Sequence, residues 1–229
     1  MTDPAAAAKQ AAAAAAVALV QDGMAVGLGT GSTAAFAIEA LGRRVQAGLR
    51  IVAIATSERS AAQARACAIP LIDFATRQRL DLTIDGADQI ARGTLDLVKG
   101  LGGALLREKI VAAASDRVVI VADDGKLVDR LGGVVPVEVV EFGWQATAAR
   151  IAQRGGAPVP RRNRDGALFL SDGGNPILDC TFPPITDPAA LAAALRGIVG
   201  VIETGLFLGL ASEALVAGAA GVVRLTAPD

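Results

Sequence analysis

Residues 24–33 read Met-Ala-Val-Gly-Leu-Gly-Thr-Gly-Ser-Thr, and this stretch decides the expected fold. Its apolar first part, 24–29, predicts a short strand, and the loop 30–33 opens a helix over 34–45. Further short apolar strands are predicted at 49–55, 70–74, 80–84, 95–98 and 117–122. Further helices are predicted at 4–21, 57–68 and 104–114. Buried strands that alternate with helices predict an α/β fold whose parallel sheet is covered on both faces.

The pattern changes near residue 130. A strand, a helix, a hairpin and a second helix are predicted at 134–140, 143–154, 168–181 and 187–196. This order indicates a smaller α+β domain. The apolar runs 201–210 and 221–225 are expected to return to the first sheet. The expected organisation is therefore a main domain of residues 1–130 plus 201–229, with residues 131–200 inserted as the small domain.

The composition removes several kinds of chemistry. The chain has 229 residues, with no histidine and no tyrosine. Catalytic triads that contain histidine, histidine-ligated zinc and an imidazole base are excluded. Acid–base chemistry must come from carboxylates, lysines or one of two cysteines. A formal net charge of -1 argues against nucleic acid as the main partner.

The same sequence predicts a soluble cytoplasmic protein. Cys67 and Cys180 are isolated, which is typical of a reducing compartment. The apolar run 11–20 is mostly alanine and much shorter than the roughly 18–20 residues that a membrane span needs. Asp3 followed by Pro4 is typical of an ordinary helix start, with Asp3 as the N-cap.

Lysine is scarce in this chain. Lysine and arginine together number 22, yet only Lys9, Lys99, Lys109 and Lys126 are lysines. Where arginine serves as the general positive charge, a retained lysine can mark a place that needs a compact ammonium group, although chance remains an alternative for each one.

Two glycine-rich turns follow predicted strands and open helices. In Gly27-Leu28-Gly29-Thr30-Gly31-Ser32-Thr33 the backbone can approach an anion, and the helix N-terminus supplies free N–H groups. The pattern is neither a Walker A loop nor a clean dinucleotide fingerprint. Lys99-Gly100-Leu101-Gly102-Gly103 forms a second turn of this kind, before a helix that carries Glu108. A tight turn without a ligand, and a solvated acid at the helix start, are the alternatives.

Two acidic turns complete the series. Asp85-Gly86-Ala87-Asp88 and Asp123-Asp124-Gly125-Lys126 also follow predicted strands. Ligands of α/β proteins bind at the carboxyl ends of the strands, so the four turns are expected to converge at one edge of one sheet. Plain turn chemistry is the alternative for the paired aspartates.

These segments together resemble the ribose-5-phosphate isomerases of the A type. The resemblance runs from Lys9 through the loop 29–33, Thr56–Ser60, Asp85–Asp88, Lys99–Lys109 and Asp123–Val128 to Glu203–Phe207. It implies a Rossmann-like parallel-sheet domain with a smaller inserted α+β domain. It also implies a homo-oligomer, with a dimer favoured, that interconverts ribose 5-phosphate and ribulose 5-phosphate in the pentose phosphate pathway without metal or cofactor.

The resemblance also implies roles for individual residues. Glu108 matches the base that moves the proton, and Lys99, Asp85 and Asp88 match the groups around the reacting end of the sugar. The phosphate and substrate contacts are implied for Lys9, Thr30, Gly31, Ser32, Thr33, Gly100, Gly102 and Lys126. The partner is thus a small sugar phosphate, and neither nucleic acid nor a membrane is expected.

The sequence departs from the family pattern at three positions. Gln89 stands where glutamate is common, Leu101 interrupts the glycine run, and Gly173 replaces a common asparagine. Three alternative functions remain at this point. A sugar-phosphate sensor domain would have no need of Glu108, an amino-sugar-phosphate isomerase typically uses a histidine, and a CoA transferase would use a glutamate as nucleophile.

Overall fold

The computed structural model describes residues 4–227. Within them the helices are α1 (Pro4–Val17), α2 (Ser32–Gln46), α3 (Glu58–Ala66), α4 (Leu105–Ala113), α5 (Trp144–Ala152) and α6 (Pro188–Arg196). The strands are β1 (Ala25–Leu28), β2 (Val52–Ala55), β3 (Leu82–Asp85), β4 (Gln89–Ala91), β5 (Leu97–Val98), β6 (Val118–Asp123), β7 (Leu127–Val128), β8 (Gly133–Val139), β9 (Ala157–Pro160), β10 (Ile177–Phe182), β11 (Val201–Thr204), β12 (Leu206–Phe207), β13 (Glu213–Gly218) and β14 (Gly221–Thr226). A short 3-10 turn, Asp124–Lys126, joins β6 to β7.

The largest sheet has six strands in the order β14-β13-β6-β3-β1-β2. All its pairings are parallel except the hairpin β13–β14. Alternate residues of β6 serve two cores: Val119 and Val121 pack with the cluster around α1 and α2, whereas Ile120 packs with Leu105 of α4. A strand buried on both faces explains why β6 reads as an unbroken apolar run. The predicted α/β class with a Rossmann-like parallel sheet is confirmed.

A second sheet is antiparallel throughout, in the order β11-β8-β10-β9. Its core includes Val137, Leu178 and Ile151, the last from α5. The expectation that 201–210 returns to the first sheet is wrong, because β11 pairs with β8 and β12 pairs with β5 of the third sheet, whereas 221–225 does join the first sheet as part of β14. The reason is local: β11 follows directly on α6 and packs against it, so it adds to the nearest edge of this sheet. The domain boundaries stay a prediction.

A third, small sheet has the order β12-β5-β4-β7. Strand β5, which precedes Lys99, pairs antiparallel with β4 and with β12. The expectation that all four turns follow strands of one sheet is therefore wrong for Lys99. Only residues 92–96 separate β4 from β5, whereas a parallel connection needs a crossover of about a dozen residues or more.

Other differences concern single elements. The predicted strand 70–74 is reduced to one bridge between Leu71 and Ala53. The predicted hairpin 168–181 holds only two isolated bridges besides β10, whose antiparallel partners are β8 and β9. Strand β9 escaped prediction because Pro158 and Pro160 oppose strand formation, and it lies at a sheet edge, where proline is tolerated.

Side-chain caps are present at the starts of α3 and α6, whereas α2, α4 and α5 begin without one. Asp187 accepts a hydrogen bond from the backbone N–H of Ala190 and caps α6. The proposed cap Asp3 lies outside the described residues. Among the helices of residues 4–227, none has both the length and the apolar character needed to cross a membrane.

Candidate active site

The predicted turns meet around a small cavity of about 100 Å³. It is lined by Lys9, Thr30, Gly31, Ser32, Thr33, Gly86, Ala87, Asp88, Lys99, Gly100, Gly102, Glu108 and Lys126. Eleven of the twelve residues singled out from the sequence are in this lining, and Gly86 and Ala87 are the additions. The twelfth, Asp85, is buried beside Lys99. The turn after β5 reaches the cavity although its strand belongs to another sheet.

Three charged side chains form a buried cluster at one end of the cavity. The Nζ atom of Lys99 lies 3.0 Å from Oδ2 of Asp85 and 3.3 Å from Oε1 of Glu108. It also donates to the carbonyl oxygen of Gly86 at 2.5 Å. The three residues are only 2–3% exposed. Because isolated charges are costly in such surroundings, the ammonium group and the carboxyl groups depend on one another.

The two carboxyl groups differ in their hydrogen bonds. Oδ1 of Asp85 accepts the N–H groups of Thr30 and Gly86, at 3.1 and 2.7 Å, while Oδ2 faces Lys99. In Glu108 only Oε1 has a partner, and Oε2 is buried with none among the described residues. The charge of Asp85 is therefore stabilised by more hydrogen-bond donors than the charge of Glu108.

Burial governs the protonation of this cluster. It raises the pKa of Glu108 to about 8, helped by the negative charges of Asp85 and Asp88 and opposed by Lys99. Burial also raises the pKa of Asp85 against the opposing pull of Lys99 and two backbone N–H groups. Burial lowers the pKa of the Lys99 ammonium group, but the negative charges of Asp85 and Glu108 have a larger effect and hold this pKa above its usual value. A carboxyl group with a pKa near neutrality can both take up and release a proton.

A glycine makes room for Asp85. A Cβ atom on Gly29 would lie 2.1 Å from Oδ1 of Asp85, which is far inside van der Waals contact. The missing side chain lets the end of β1 pass directly over the carboxylate, so that Thr30 can donate its N–H. The glycine spacing noted in the sequence thus also serves the acidic turn after β3.

A cluster of four hydroxyl groups holds the first turn in place. Oγ1 of Thr30 lies 2.7 Å from Oγ1 of Thr56, 2.8 Å from Oγ of Ser57 and 3.2 Å from Oγ of Ser60. Ser60 in turn donates to the carbonyl oxygen of Gly29 at 2.7 Å. The Thr30 hydroxyl is therefore engaged inside the protein. The segment Thr56–Ser60 was noted in the sequence, but this supporting role was not predicted.

Another part of the cavity lining has the features of an anion site. Gly31 has φ of 122° and starts α2 without a side-chain cap, which leaves the first N–H groups of the helix and the hydroxyls of Ser32 and Thr33 at the cavity. Lys9 of α1 and Lys126 of the 3-10 turn also line it. Within residues 4–227 neither lysine forms an ion pair, so both ammonium groups are available to an anion.

The turn after Lys99 is held from two sides. Oδ2 of Asp88 accepts the N–H of Leu101 at 2.9 Å, and Arg161 donates to the carbonyl oxygens of Gly100 and Leu101 at 3.0 and 3.2 Å. Arg161 is itself paired with Asp179 of β10. Sequence reasoning missed Arg161, because it lies in a run of arginines with no distinguishing spacing.

The three departures from the family pattern lie outside the lining of the cavity. The Gln89 side chain exchanges two hydrogen bonds with the backbone of Gly132, at 2.8 and 3.1 Å. Leu101 is half exposed and contributes its backbone N–H to the turn. Gly173 lies against Asn175, Ser171 and Glu138. None of them replaces a group that faces the cavity.

The fold and the cavity together define an α/β enzyme with its charged groups at the carboxyl edge of a parallel sheet. Comparison with known proteins identifies its family. The family model described as ribose 5-phosphate isomerase A (phosphoriboisomerase A) matches residues 52–221. The ribose-5-phosphate isomerase A of Gloeobacter violaceus is 60% identical over 220 residues, which cover 95% of each chain.

Solved structures agree with this assignment. Ribose 5-phosphate isomerase A of Methanocaldococcus jannaschii superposes with a TM-score of 0.92 at 36% identity, covering 96% of this chain and 98% of that one. A D-ribose-5-phosphate isomerase in complex with phospho-erythronic acid superposes at 0.94 with 33% identity, covering 98% and 100%. The chain therefore belongs to the ribose 5-phosphate isomerase A family. By this membership it is an aldose–ketose isomerase.

Proposed function

We propose that this chain interconverts D-ribose 5-phosphate and D-ribulose 5-phosphate through an enediolate, with Glu108 as the base. The observation that carries the proposal is that one cavity joins the buried Glu108–Lys99–Asp85 cluster to two lysines, Lys9 and Lys126, that form no ion pair within the described part of the chain. A solved relative binds phospho-erythronic acid, a phosphorylated acid, which supports a sugar phosphate as the ligand here.

Glu108 takes the proton from C2 of the opened aldose and returns it to C1. One carboxylate suffices for both transfers because the two carbons are adjacent. With a pKa of about 8 the group is a stronger base than an ordinary glutamate and still gives the proton back readily. Its uncontacted oxygen, Oε2, is free of competing partners among the described residues.

Lys99 stabilises the negative charge that develops on the sugar oxygens. Its ammonium group is buried and held by Asp85 and the Gly86 carbonyl oxygen, so it need not reorganise as the enediolate forms. Asp85 keeps Lys99 charged and in place. Asp88, which is less buried and lines the cavity, exchanges protons with the sugar hydroxyls during ring opening and between O1 and O2.

The far end of the cavity grips the phosphate. Lys9, Lys126 and the start of α2, with Ser32 and Thr33, supply positive charge and hydrogen-bond donors. Binding the phosphate here fixes the distance of C1 and C2 from Glu108, so binding energy is used for positioning. The backbone of Gly100 and Gly102 completes the wall beside Lys99.

We further propose that the enzyme needs no metal or cofactor, that it acts in the cytoplasm, and that its working form is a homodimer. Exposed apolar side chains such as Phe142 and Val199 support association with another chain. Light scattering at micromolar concentration tests the dimer, and a monomer at working concentration would contradict it.

The function is tested by following ribose 5-phosphate conversion with purified protein in the presence and absence of a chelator. We expect reversible formation of ribulose 5-phosphate at the same rate in both. Absence of conversion would overturn the proposal. Loss of activity on chelation would overturn its metal-free form.

A further inference from the structure

Lys109 follows Glu108 directly on α4, and the proposed chemistry does not use it. Consecutive residues of a helix point about 100° apart around its axis, so the two side chains serve different neighbours. Glu108 faces the cavity, whereas Lys109 reaches the chain around β11 and β12. Lys109 is thus the fourth of the scarce lysines and needs a separate explanation.

The Lys109 ammonium group is saturated with acceptors. Its Nζ atom lies 2.8 Å from Oε1 of Glu203, 2.6 Å from the carbonyl oxygen of Thr204 and 2.9 Å from that of Leu206. An ammonium group has three N–H donors, and each has a partner here. The side chain is 16% exposed. Burial lowers the pKa of Lys109, and Glu203 opposes this shift.

The segment held by Lys109 is also the segment that holds Lys99. Between the two carbonyls that bind Lys109 lies Gly205, whose own carbonyl oxygen accepts the N–H of Lys99 at 2.9 Å. The fit is close, since a Cβ atom on Gly205 would lie 2.3 Å from the carbonyl oxygen of Lys99. A shift of residues 204–206 therefore moves the Lys99 backbone.

Phe207 makes a second connection between the two lysines. The centre of its ring lies 5.5 Å from Nζ of Lys99 and 4.7 Å from Nζ of Lys109. Both are within the range of a cation–π contact. The ring is fully buried, so its place is fixed by packing as well as by the two charges. The side chain of Lys99, like its backbone, is thus positioned by the segment that Lys109 holds.

We propose that Lys109 is a positioning residue, which holds Lys99 at its distance from Glu108 through residues 204–207. The inference rests on the proposed isomerase function. Glu108 and Lys109 are consecutive on one helix, so α4 fixes the base directly and its electrostatic partner through Lys109. Helix α4 thereby sets the distance between the Glu108 carboxyl group and the Lys99 ammonium group.

The consequences are specific to the reacting end of the cavity. If Lys99 moves away, Glu108 loses part of the attraction that opposes its high pKa, and the developing oxyanion loses its nearby charge. Lys9, Lys126 and the start of α2 line the cavity, whereas residues 204–207 do not. A role in positioning therefore predicts a loss in kcat without a loss of phosphate binding.

The test uses the full chain with Lys109→Met, and Arg196→Met as the control. Lys109 and Arg196 both line a second pocket, separate from the active-site cavity, and carry the same charge. Unlike Lys109, Arg196 does not donate to the carbonyl oxygens of residues 204 and 206. We expect Lys109→Met to lower kcat by about 10- to 100-fold. The acidic limb of its pH profile should move to higher pH, and inhibition by inorganic phosphate should stay unchanged. Arg196→Met should match the wild type in all three.

A milder variant, Glu203→Gln, covers the case in which Lys109→Met does not fold. It loosens Lys109 while keeping both carbonyl contacts, and we expect smaller changes in the same directions. A folded variant of either kind with wild-type kcat and pH profile would overturn the inference, as would an equal effect of Arg196→Met or a change confined to the melting temperature. An inactive wild type would instead overturn the proposed function.

Discussion

The Nζ atom of Lys99 lies 3.3 Å from Oε1 of Glu108, and both side chains are 4% exposed. A contact of this kind would ordinarily keep a glutamate ionised. Here burial and the negative charge of Asp85 outweigh it, and the pKa of Glu108 is raised to about 8. The base of the proposed reaction is thus held near the point at which it takes up and releases a proton.

The pH dependence of catalysis follows from this relationship. A base must be deprotonated to act, so kcat/KM should rise with pH and level off above an apparent pKa of about 8. Initial rates at low substrate concentration over pH 5 to 9.5, with the phosphate of the substrate fully ionised above about pH 7, give the profile. A kcat/KM that is already level between pH 7 and 9.5, as the ordinary glutamate pKa of 4.5 would give, would contradict the raised pKa.

The contribution of Glu108 to the free energy of unfolding should fall as pH rises, whereas kcat/KM should rise. Because the pKa of Glu108 is higher in the folded than in the unfolded chain, its contribution is full below pH 4.5 and is lost as pH rises through about 8. Glu108→Gln removes this loss and keeps an acceptor for Lys99. We expect the melting temperature of the variant to exceed that of the wild type at pH 9 by a few degrees, at roughly 2–4 °C per kcal/mol.

The difference in melting temperature between the wild type and Glu108→Gln should be smaller at pH 5, where Glu108 of the wild type is protonated. Thermal denaturation of both proteins at the two pH values provides the measurement. A variant that is less stable than the wild type at pH 9 would show that the charged form of Glu108 stabilises the fold.

The close approach of β1 to Asp85 can be tested at Gly29. Gly29→Ala places a Cβ atom 2.1 Å from Oδ1 of Asp85 and must displace the carboxylate or the strand. We expect a loss of about 1–3 kcal/mol in unfolding free energy together with a fall in kcat. Gly197→Ala is the matched control, because its Cβ atom meets no atom closer than 3.4 Å. Equal stability of the two variants would contradict the close packing described for Gly29.

The phosphate end can be tested at Lys126. Lys126→Ala should weaken inhibition by phospho-erythronic acid and leave inhibition by unphosphorylated erythronic acid unchanged, because only the phosphate meets the lysine. Arg164→Ala is the control, since Arg164 is an exposed positive charge outside the cavity. If Lys126→Ala lowered the affinity for both inhibitors equally, Lys126 would not be a specific contact of the phosphate group.

Much of this site could be predicted from the sequence. Each turn carries a strong local signal, such as the glycines around Thr30 or the paired aspartates at 85 and 88, and the strand before it sets its place. Scarce lysines marked both ends of the cavity, at Lys99 and at Lys9 and Lys126. The resemblance assigned the roles, because local signals alone left plain turns as an alternative.

The features of the structure that could not be predicted from the sequence depend on contacts between residues that are distant along the chain. Strand β5 is two residues long, and only its antiparallel pairing with β4 and β12 shows that it lies outside the main sheet. Arg161 is more than fifty residues from the turn that it holds, and nothing distinguishes it from its neighbouring arginines. Strand β11 has the apolar character of a main-sheet strand, and its partner was decided by packing against α6.

The most direct test of the account is the fate of the C2 hydrogen in the wild type and in Glu108→Gln. Ribose 5-phosphate deuterated at C2 is incubated with each protein, and NMR follows deuterium at C1 of the product and its exchange with water. We expect the wild type to remove the C2 label, and the variant to do so at least ~10²-fold more slowly, while its affinity for phospho-erythronic acid is retained. A variant that removes the label at the wild-type rate would show that Glu108 is not the base.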